Sequence, residues 1–383
     1  MNSRSHAIRF NTPGPQTNLR IRWHQYRNRL IANPRFQRWA ARNPIARIIA
    51  NRRATQLHHI TAGFVYSQTL LAFVELDLPQ LLAEGPAQTD RLAQETGLGK
   101  PALLTLLKAA HGIELLEHYP GDLWGLGELG ASLLANPGIG AMVRHHRHLY
   151  QDLAEPTALL KNRSQSALSA YWAYDDVKAR DADPRTYSEL MASSQGMVAD
   201  YVLDALDLKE HHQLLDIAGG TGAFARRAVE RFPHLSATVF DLPAVAESGA
   251  AAVRASGERL RFAGGDMFRD TLPAHADVIS LVRVLHDHDD EPISLLLQRT
   301  FDALPAGGRI IVAEPLAETP GAEAIGATYF GLYLWAMGSG RPRTATEIRD
   351  FLAKAGFSDL KEHSSPLPTL VRVITGIKTN SNI

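Results

Sequence analysis

The chain has 383 residues, 45% apolar and 21% charged, and its 40 basic and 40 acidic side chains cancel; this is the profile of a soluble globular protein with room for two domains. It has no cysteine, which excludes disulfides, thiolate nucleophiles and cysteine-ligated metals. No apolar run is long enough to span a bilayer and no secretory signal is visible, which predicts a cytoplasmic protein.

The zero net charge hides an asymmetry. Residues before Glu75 contain no acid but hold 12 arginines, from Arg4 to Arg53, so the remainder is acidic by the same amount. Residues 1–19 are polar, with Pro13 and Pro15, and are predicted to be poorly ordered. Three short amphipathic helices follow. Trp23, Tyr26 and Leu30 share one face; Asn33-Pro34 opens a second helix with Phe36 and Trp39; Asn43-Pro44 opens a third with Ile45, Ile48 and Ile49. Asn as N-cap followed by Pro at the first helical position is a start signal. Basic helices with aromatic apolar faces lie on anionic membrane surfaces, so residues 20–53 are a candidate peripheral contact with the inner membrane. The arginines can equally meet the acidic remainder or a partner subunit.

Residues 58–135 read as helices ending in a hairpin. Ala62–Leu82 is helical in period, Thr89 is placed to cap the next helix, and Pro101–Leu107 forms another. Strands near Ile113–Leu116 and Leu123–Leu126 flank Pro120-Gly121-Asp122, which is a winged-helix pattern. Its would-be recognition helix, Lys100–Ala110, has only Lys100 and Lys108 as basic residues, too little charge for phosphate contacts. It reads as a subunit contact rather than a nucleic-acid reader, although a ligand-sensing regulator is a rival reading. Residues 136–205 are mostly helical. From 206 onward strand and helix alternate, with strands at 213–217, 237–240, 259–263, 277–283 and 308–313, helices at 222–231, 243–255, 291–304 and 344–355, and an antiparallel pair at the end. The fold class is α/β, a doubly wound parallel sheet with an antiparallel edge. The division is a basic extension (1–57), a winged-helix domain (58–150), a helical connector (151–205) and the sheet domain (206–383).

The chemistry collects at strand ends. Asp216-Ile217-Ala218-Gly219-Gly220-Thr221-Gly222 is a strand, a glycine turn and a helix start, where backbone can approach a nucleotide-like ligand; a tight turn with no ligand fits as well. Asp241, ending Thr238-Val239-Phe240, is placed to accept ribose hydroxyls, or to cap the helix after Leu242. Gly264-Gly265-Asp266-Met267-Phe268 offers a carboxylate to an adenine amino group and apolar surface to its ring, or is an ordinary turn. His286 follows a β-run and can act as a general base. His286-Asp287-His288-Asp289 can also be read as metal ligands, but neighbours on a strand point to opposite sides. Asp289, Asp290 and Glu291 read as a solvated helix start. Glu314, ending Ile311-Val312-Ala313, can orient His286.

These five motifs, in this order and spacing, resemble the S-adenosylmethionine-dependent small-molecule O-methyltransferases of the plant caffeate type and their bacterial relatives, over roughly residues 60–375. Arg35–Ala40, Ala62–Gln68 and Gly340–Arg343 are similar to the bacterial branch that acts on hydroxyneurosporene and demethylspheroidene in carotenoid biosynthesis. The resemblance implies a Rossmann-like methyltransferase sheet with an N-terminal winged-helix dimerisation domain, a homodimer, S-adenosyl-L-methionine as cofactor and no metal. It implies that Ala218, Gly219 and Gly220 run along the methionine part, that Asp241 and Leu242 hold the ribose, and that Asp266, Met267 and Phe268 hold the adenine. Arg283, with an offset of one, matches a cofactor contact, and Met191 matches a cofactor or substrate contact. His286 is the implied base and Glu314 its partner. Ala218 replaces the usual first glycine, tolerable if its φ stays negative. Pro342 stands where phenol-methylating members carry a second supporting Glu. The implied reaction is methylation of a hydroxyl on a hydrophobic small molecule, the tertiary hydroxyl of an acyclic carotenoid, with a phenolic or polyketide acceptor as the alternative. Tyr329, Tyr333, Trp335 and Met337, on a helical run after Glu314, are candidate pocket walls with Phe330, Leu334, Tyr171, Trp172 and Tyr174; ordinary core packing is the competing account.

Overall fold

The structure, a computed structural model, describes residues 15–163, 166–171, 195–252 and 259–379. Two compact units compose it, Met1–Ala72 and Phe73–Ile383. In the first, helices Pro15–Ile31 and Pro34–Arg42 precede Ala46–Glu75. Asn33 Oδ1 accepts from the backbone N–H groups of Arg35 and Phe36, and Asn43 Oδ1 from those of Ile45 and Ala46. Both asparagines thus satisfy donors that a helix start leaves unpaired. The third helix is not short. It runs for 30 residues, because no proline interrupts it before Pro79, and it absorbs most of the helix expected at 62–82. That expected helix instead breaks at Asp77, whose φ is 51°, ahead of the turn Leu78–Leu81.

The second unit begins with a small antiparallel sheet, β1 (Ala87–Gln88), β2 (Leu116–Tyr119) and β3 (Leu123–Leu126), in the order β1-β3-β2. β2 starts three residues later than the sequence suggests, since Glu114 takes φ 62° in a turn out of helix Lys100–Gly112. Thr89 does not cap; Gln88 holds that position, and the Thr89 hydroxyl accepts from Trp124 Nε1 at 3.0 Å inside the small core.

The large sheet contains β4 (Gln213–Ile217), β5 (Ser236–Asp241), β6 (Leu260–Gly264), β7 (Val278–Val282), β8 (Arg309–Glu314), β9 (Phe357–His363) and β10 (Arg372–Lys378). Their order is β6-β5-β4-β7-β8-β10-β9. The first five are parallel, and β10 runs antiparallel to both β8 and β9. Alternation sorts the side chains. Leu214, Val239, Val278 and Ile311 pack on one face against Val198, Val202, Phe224 and Val229. Leu215, Phe240, Ile279 and Ile310 pack on the other against Ile293, Leu297, Ile348 and Leu352. A strand buried on both faces is apolar at most positions, which is why these segments read as apolar runs, interrupted within β4 and β7 by the mutually hydrogen-bonded Asp216 and Ser280. The chain leaves β4 toward β5 and β6, then crosses to β7 and β8 on the other side. The switch opens a crevice beyond the carboxyl ends of β4 and β7, where open α/β sheets bind ligands.

Candidate active site at the carboxyl edge of the sheet

Register places the motifs together. Ile217 pairs with Phe240 and Asp241 with Gly264, so the turns after β4, β5 and β6 emerge side by side. On the other half, Val282 pairs with Ala313, which sets Arg283 beside Glu314.

The turn after β4 is strained. Ala218 has φ 53°, so the condition under which its methyl is free of strain, a negative φ, is not met. A side chain in the left-handed region costs about 1–2 kcal/mol, and the Ala218 N–H donating to Phe240 O at 2.7 Å holds it there. Arg283 at the end of β7 is also left-handed, with φ 59°. Two such residues at adjacent strand ends mark a place where the fold tolerates strain, as functional sites do.

Gly219 is required by what lies beneath it: a Cβ there would stand 2.4 Å from Asp216 Oδ2. Asp216 is 1% exposed. Its Oδ1 accepts from the Ser280 hydroxyl at 2.6 Å, while Oδ2 makes no hydrogen bond of ordinary geometry. Burial, against the opposing Ser280 hydroxyl and Ala225 N–H and with Asp241 adding to it, pushes its carboxyl up to about 7. Asp241 accepts from Gly220 N–H through Oδ2 and from Leu242 N–H through Oδ1, both at 2.7 Å. It therefore bolts the glycine turn to the next loop rather than capping the helix Pro243–Ala252. Burial raises its pKa and the two N–H groups oppose that. Asp266 Oδ1 accepts from Phe268 N–H at 2.8 Å, with Met267 and Phe268 half-buried beside it. Gly265 lies under Phe240, whose ring a Cβ would meet at 2.5 Å. A glycine cradle, the buried Asp216 carboxylate and the part-buried Asp241 carboxylate suit a ligand that is cationic and has a flat apolar end.

His286 sits not on β7 but in the 3₁₀ turn Leu285–Asp287, 8% exposed. Nδ1 is hydrogen-bonded to Glu314 Oε2. Glu314 Oε1 accepts from the N–H groups of Val284 and Leu285, at 2.9 and 2.6 Å. One carboxylate thus orients the ring and holds its loop. Nε2 faces Asp287 Oδ1 at 3.1 Å. Burial opposes charge on the imidazole, but Asp287 and Glu314 outweigh it and raise its pKa above 6.5. Asp290 is not merely solvated: Arg341 and Arg343 both bond it and hold its carboxyl below the usual range. Among the described residues, no group of three or more His, Asp or Glu converges as a metal site.

The aromatic run begins with a π-helical turn, Ile325–Phe330, continued by helix Gly331–Met337. π-turns recur at functional sites. Here the turn brings Phe330 edge-on to His286, ring centroids 6.4 Å apart, and stacks Tyr329 on Tyr333. Tyr329 Oη is hydrogen-bonded to His146 Nε2 at 2.7 Å, and Tyr333 Oη to His145 Nε2 at 3.0 Å. Burial holds these histidines neutral, His145 down to about 4, and pushes the Tyr329 phenol up to about 12. Trp335 turns toward Leu159 O and the Arg163 guanidinium, and Tyr333 and Met337 pack with Leu149 and Leu168. Met191, Trp172, Tyr174 and the Tyr171 side chain lie outside the described residues. His145 and His146 carry no sequence signal, and Asp287 and Arg343, though they stand in noted motifs, give no local sign of the contacts they make; only the i to i+4 spacing of Tyr329 and Tyr333 hints that one helix face carries a polar pair.

An O-methyltransferase domain model matches residues 150–358. The demethylspheroidene O-methyltransferase of Cereibacter sphaeroides is 41% identical over 355 residues, covering 91% of this chain and 94% of that one. Its namesake from Rhodobacter capsulatus is 39% identical, covering 90% and 88%. The crystal structure of human N-acetylserotonin methyltransferase in complex with SAM superposes with a TM-score of 0.75 at 26% identity, over 86% of this chain and 98% of that one.

Proposed function

Because the chain belongs to the S-adenosylmethionine-dependent O-methyltransferase family, we propose that its acceptor is the tertiary hydroxyl of an acyclic carotenoid such as demethylspheroidene or hydroxyneurosporene. The observation that carries this reading is the likeness to the two demethylspheroidene enzymes, which spans nearly the whole chain. The cradle suits the cofactor: the buried Asp216 carboxylate, close beneath Gly219, sets negative charge under the turn that a cationic ligand would follow. When bound, S-adenosylmethionine supplies a methyl carbon already activated by positive sulfur. In this reading Ala218, Gly219 and Gly220 line its methionine part, Asp241 and Leu242 its ribose, and Asp266, Met267 and Phe268 its adenine, with Arg283 and Met191 as further contacts.

The protein's work is placement and proton removal. The wall of Tyr329, Phe330 and Tyr333 holds a greasy acceptor beside His286 and excludes water. Glu314 keeps the proton on Nδ1, leaving Nε2 to accept the hydroxyl proton, and then stabilises the imidazolium. The acceptor hydroxyl has to take the place at Nε2 that Asp287 Oδ1 holds at 3.1 Å. A tertiary alcohol is a far weaker acid than a phenol, so its proton leaves late and alignment carries more of the rate. Mass spectrometry is the test: hydroxylated acyclic carotenoids in micelles should gain 14 Da, and simple phenols should not. A phenol product with unchanged carotenoid would overturn the assignment.

The proposed division remains an extension (1–57), a winged-helix dimerisation domain (58–150), a connector (151–205) and a catalytic domain (206–383). Exposed Leu57, Ile60, Phe64 and Val65 on helix Ala46–Glu75 suit a second copy of the chain. No described helix is long and apolar enough to cross a membrane. Exposed Trp23, Tyr26, Trp39, Ile45, Ile48 and Ile49 lie among the arginines of residues 20–53, which suits the surface of an anionic membrane, each basic residue adding about 1 kcal/mol. The full chain should float with anionic liposomes and sediment as a dimer. Equal flotation after removal of residues 1–53 would discard the membrane contact, and a 42.0 kDa species would discard the dimer.

A further inference from the structure

The loop that carries His286 is held from behind by one short segment, Ser339-Gly340-Arg341-Pro342-Arg343. Four consecutive carbonyls are involved. Leu285 O accepts from Arg343 Nη1 at 2.7 Å, and His286 O from the Arg341 N–H at 3.0 Å. Asp287 O accepts from Ser339 Oγ at 2.6 Å, and His288 O from Arg343 Nη2 at 2.8 Å. The two strips lie so close that a Cβ on Gly340 would stand 2.0 Å from His286 O.

Arg343 is the centre of this arrangement. It is 2% exposed, and its fork reaches Leu285 O, His288 O and the Asp290 carboxylate at once. A planar guanidinium can do this and an ammonium cannot. The other side of the loop is held by Glu314 through the Val284 and Leu285 N–H groups. The segment also continues directly from helix Gly331–Met337, and Arg163, stacked on Trp335 of that helix, donates to Gly340 O.

We propose that Arg343, assisted by Ser339, is a positioning residue for methyl transfer: it fixes the backbone of the His286 loop and ties it to the aromatic helix, so that acceptor wall and base move as one body. Pro342, between the two arginines, offers the imidazole no polar side chain; Arg343 supports it through the main chain. The proposal rests on His286 being the base, and concerns how that base is held.

The test uses full-length Arg343→Lys, Ser339→Ala and His286→Ala with S-adenosylmethionine and a hydroxylated acyclic carotenoid in micelles. Positioning predicts that kcat falls roughly 10- to 100-fold in Arg343→Lys, the loss that a misplacement of about 1 Å brings, and several-fold in Ser339→Ala. Both variants should keep KM for both substrates, and the cofactor affinity by calorimetry, within about twofold. Unchanged kcat in a folded Arg343→Lys overturns the proposal, as does a parallel loss of cofactor affinity, which would mark a general packing role. If Arg343→Lys does not fold, Ser339→Ala decides by the same criteria. Turnover retained by His286→Ala would instead remove the base assignment. A dead His286→Ala with fully active Arg343 and Ser339 variants removes this inference alone.

Discussion

Replacing His286 by Ala is expected to leave S-adenosylmethionine affinity within about twofold and to lower turnover by roughly 10²- to 10⁴-fold, the range that a positioned base supplies. The separation follows from the geometry. The imidazole contacts Glu314, Asp287 and Phe330, whereas the glycine turn is braced by Asp216 and Asp241. Cutting the first group does not touch the second. The pH profile adds a sign. With its pKa raised above 6.5 by two carboxylates, the ring is protonated and idle at low pH, so kcat/KM should climb as pH rises through a value above 6.5. Glu314→Gln removes the carboxylate charge but keeps an oxygen for the Val284 and Leu285 N–H groups, so the acid limb should move to lower pH while the protein stays folded. An acid limb already below 6.5 in the parent, or turnover persisting without the imidazole, would exclude His286 as base.

How much of this was legible beforehand depended on the range of the interaction. The central strands of the large sheet are readable because burial on both faces favours a mostly apolar run, and Leu214 and Leu215 show both faces in two residues. Asn33 and Asn43 were readable because a cap acts within three residues. The five strand-end motifs were readable because a parallel sheet collects its carboxyl ends whatever the loops do. Errors arose where a distant partner decides. The methyl of Ala218 favours a negative φ, yet a bond to Phe240 O on the next strand secures the left-handed conformation. Thr89 looked like a cap until Trp124, 35 residues away, claimed its hydroxyl. His146 and Tyr329 are 183 residues apart, and Arg343 reaches carbonyls more than fifty residues back. No local pattern encodes such pairs. That Pro342 brings no carboxylate to the imidazole is visible in the sequence; that Asp287 faces Nε2 and Arg343 holds the loop is not.

The second large effect concerns Asp216. Its carboxyl is buried, titrates near 7 and leaves Oδ2 without a hydrogen bond of ordinary geometry beneath Gly219. An unfolded Asp titrates near 3.8, so between these values the folded, cofactor-free protein binds the extra proton. Its stability is therefore expected to fall as pH rises from about 4 through about 7. A cation placed beside the carboxylate favours the ionised form and lowers that pKa. S-adenosylmethionine binding should then release a proton below pH 7, with affinity rising by at most about tenfold per pH unit and levelling off above 7. Asp216→Asn keeps the shape and the Ser280 hydroxyl as a partner while removing the charge. At pH 8 it should weaken binding by roughly 10- to 100-fold, the worth of a hydrogen bond to a charged group, and abolish the pH dependence. Calorimetry of S-adenosylmethionine binding from pH 6 to 8.5, in two buffers of different ionisation enthalpy, counts the released protons directly. Equal proton counts in parent and Asp216→Asn would mean that this carboxylate does not meet the cofactor's charge, and the cradle would have to be rebuilt around Asp241 alone.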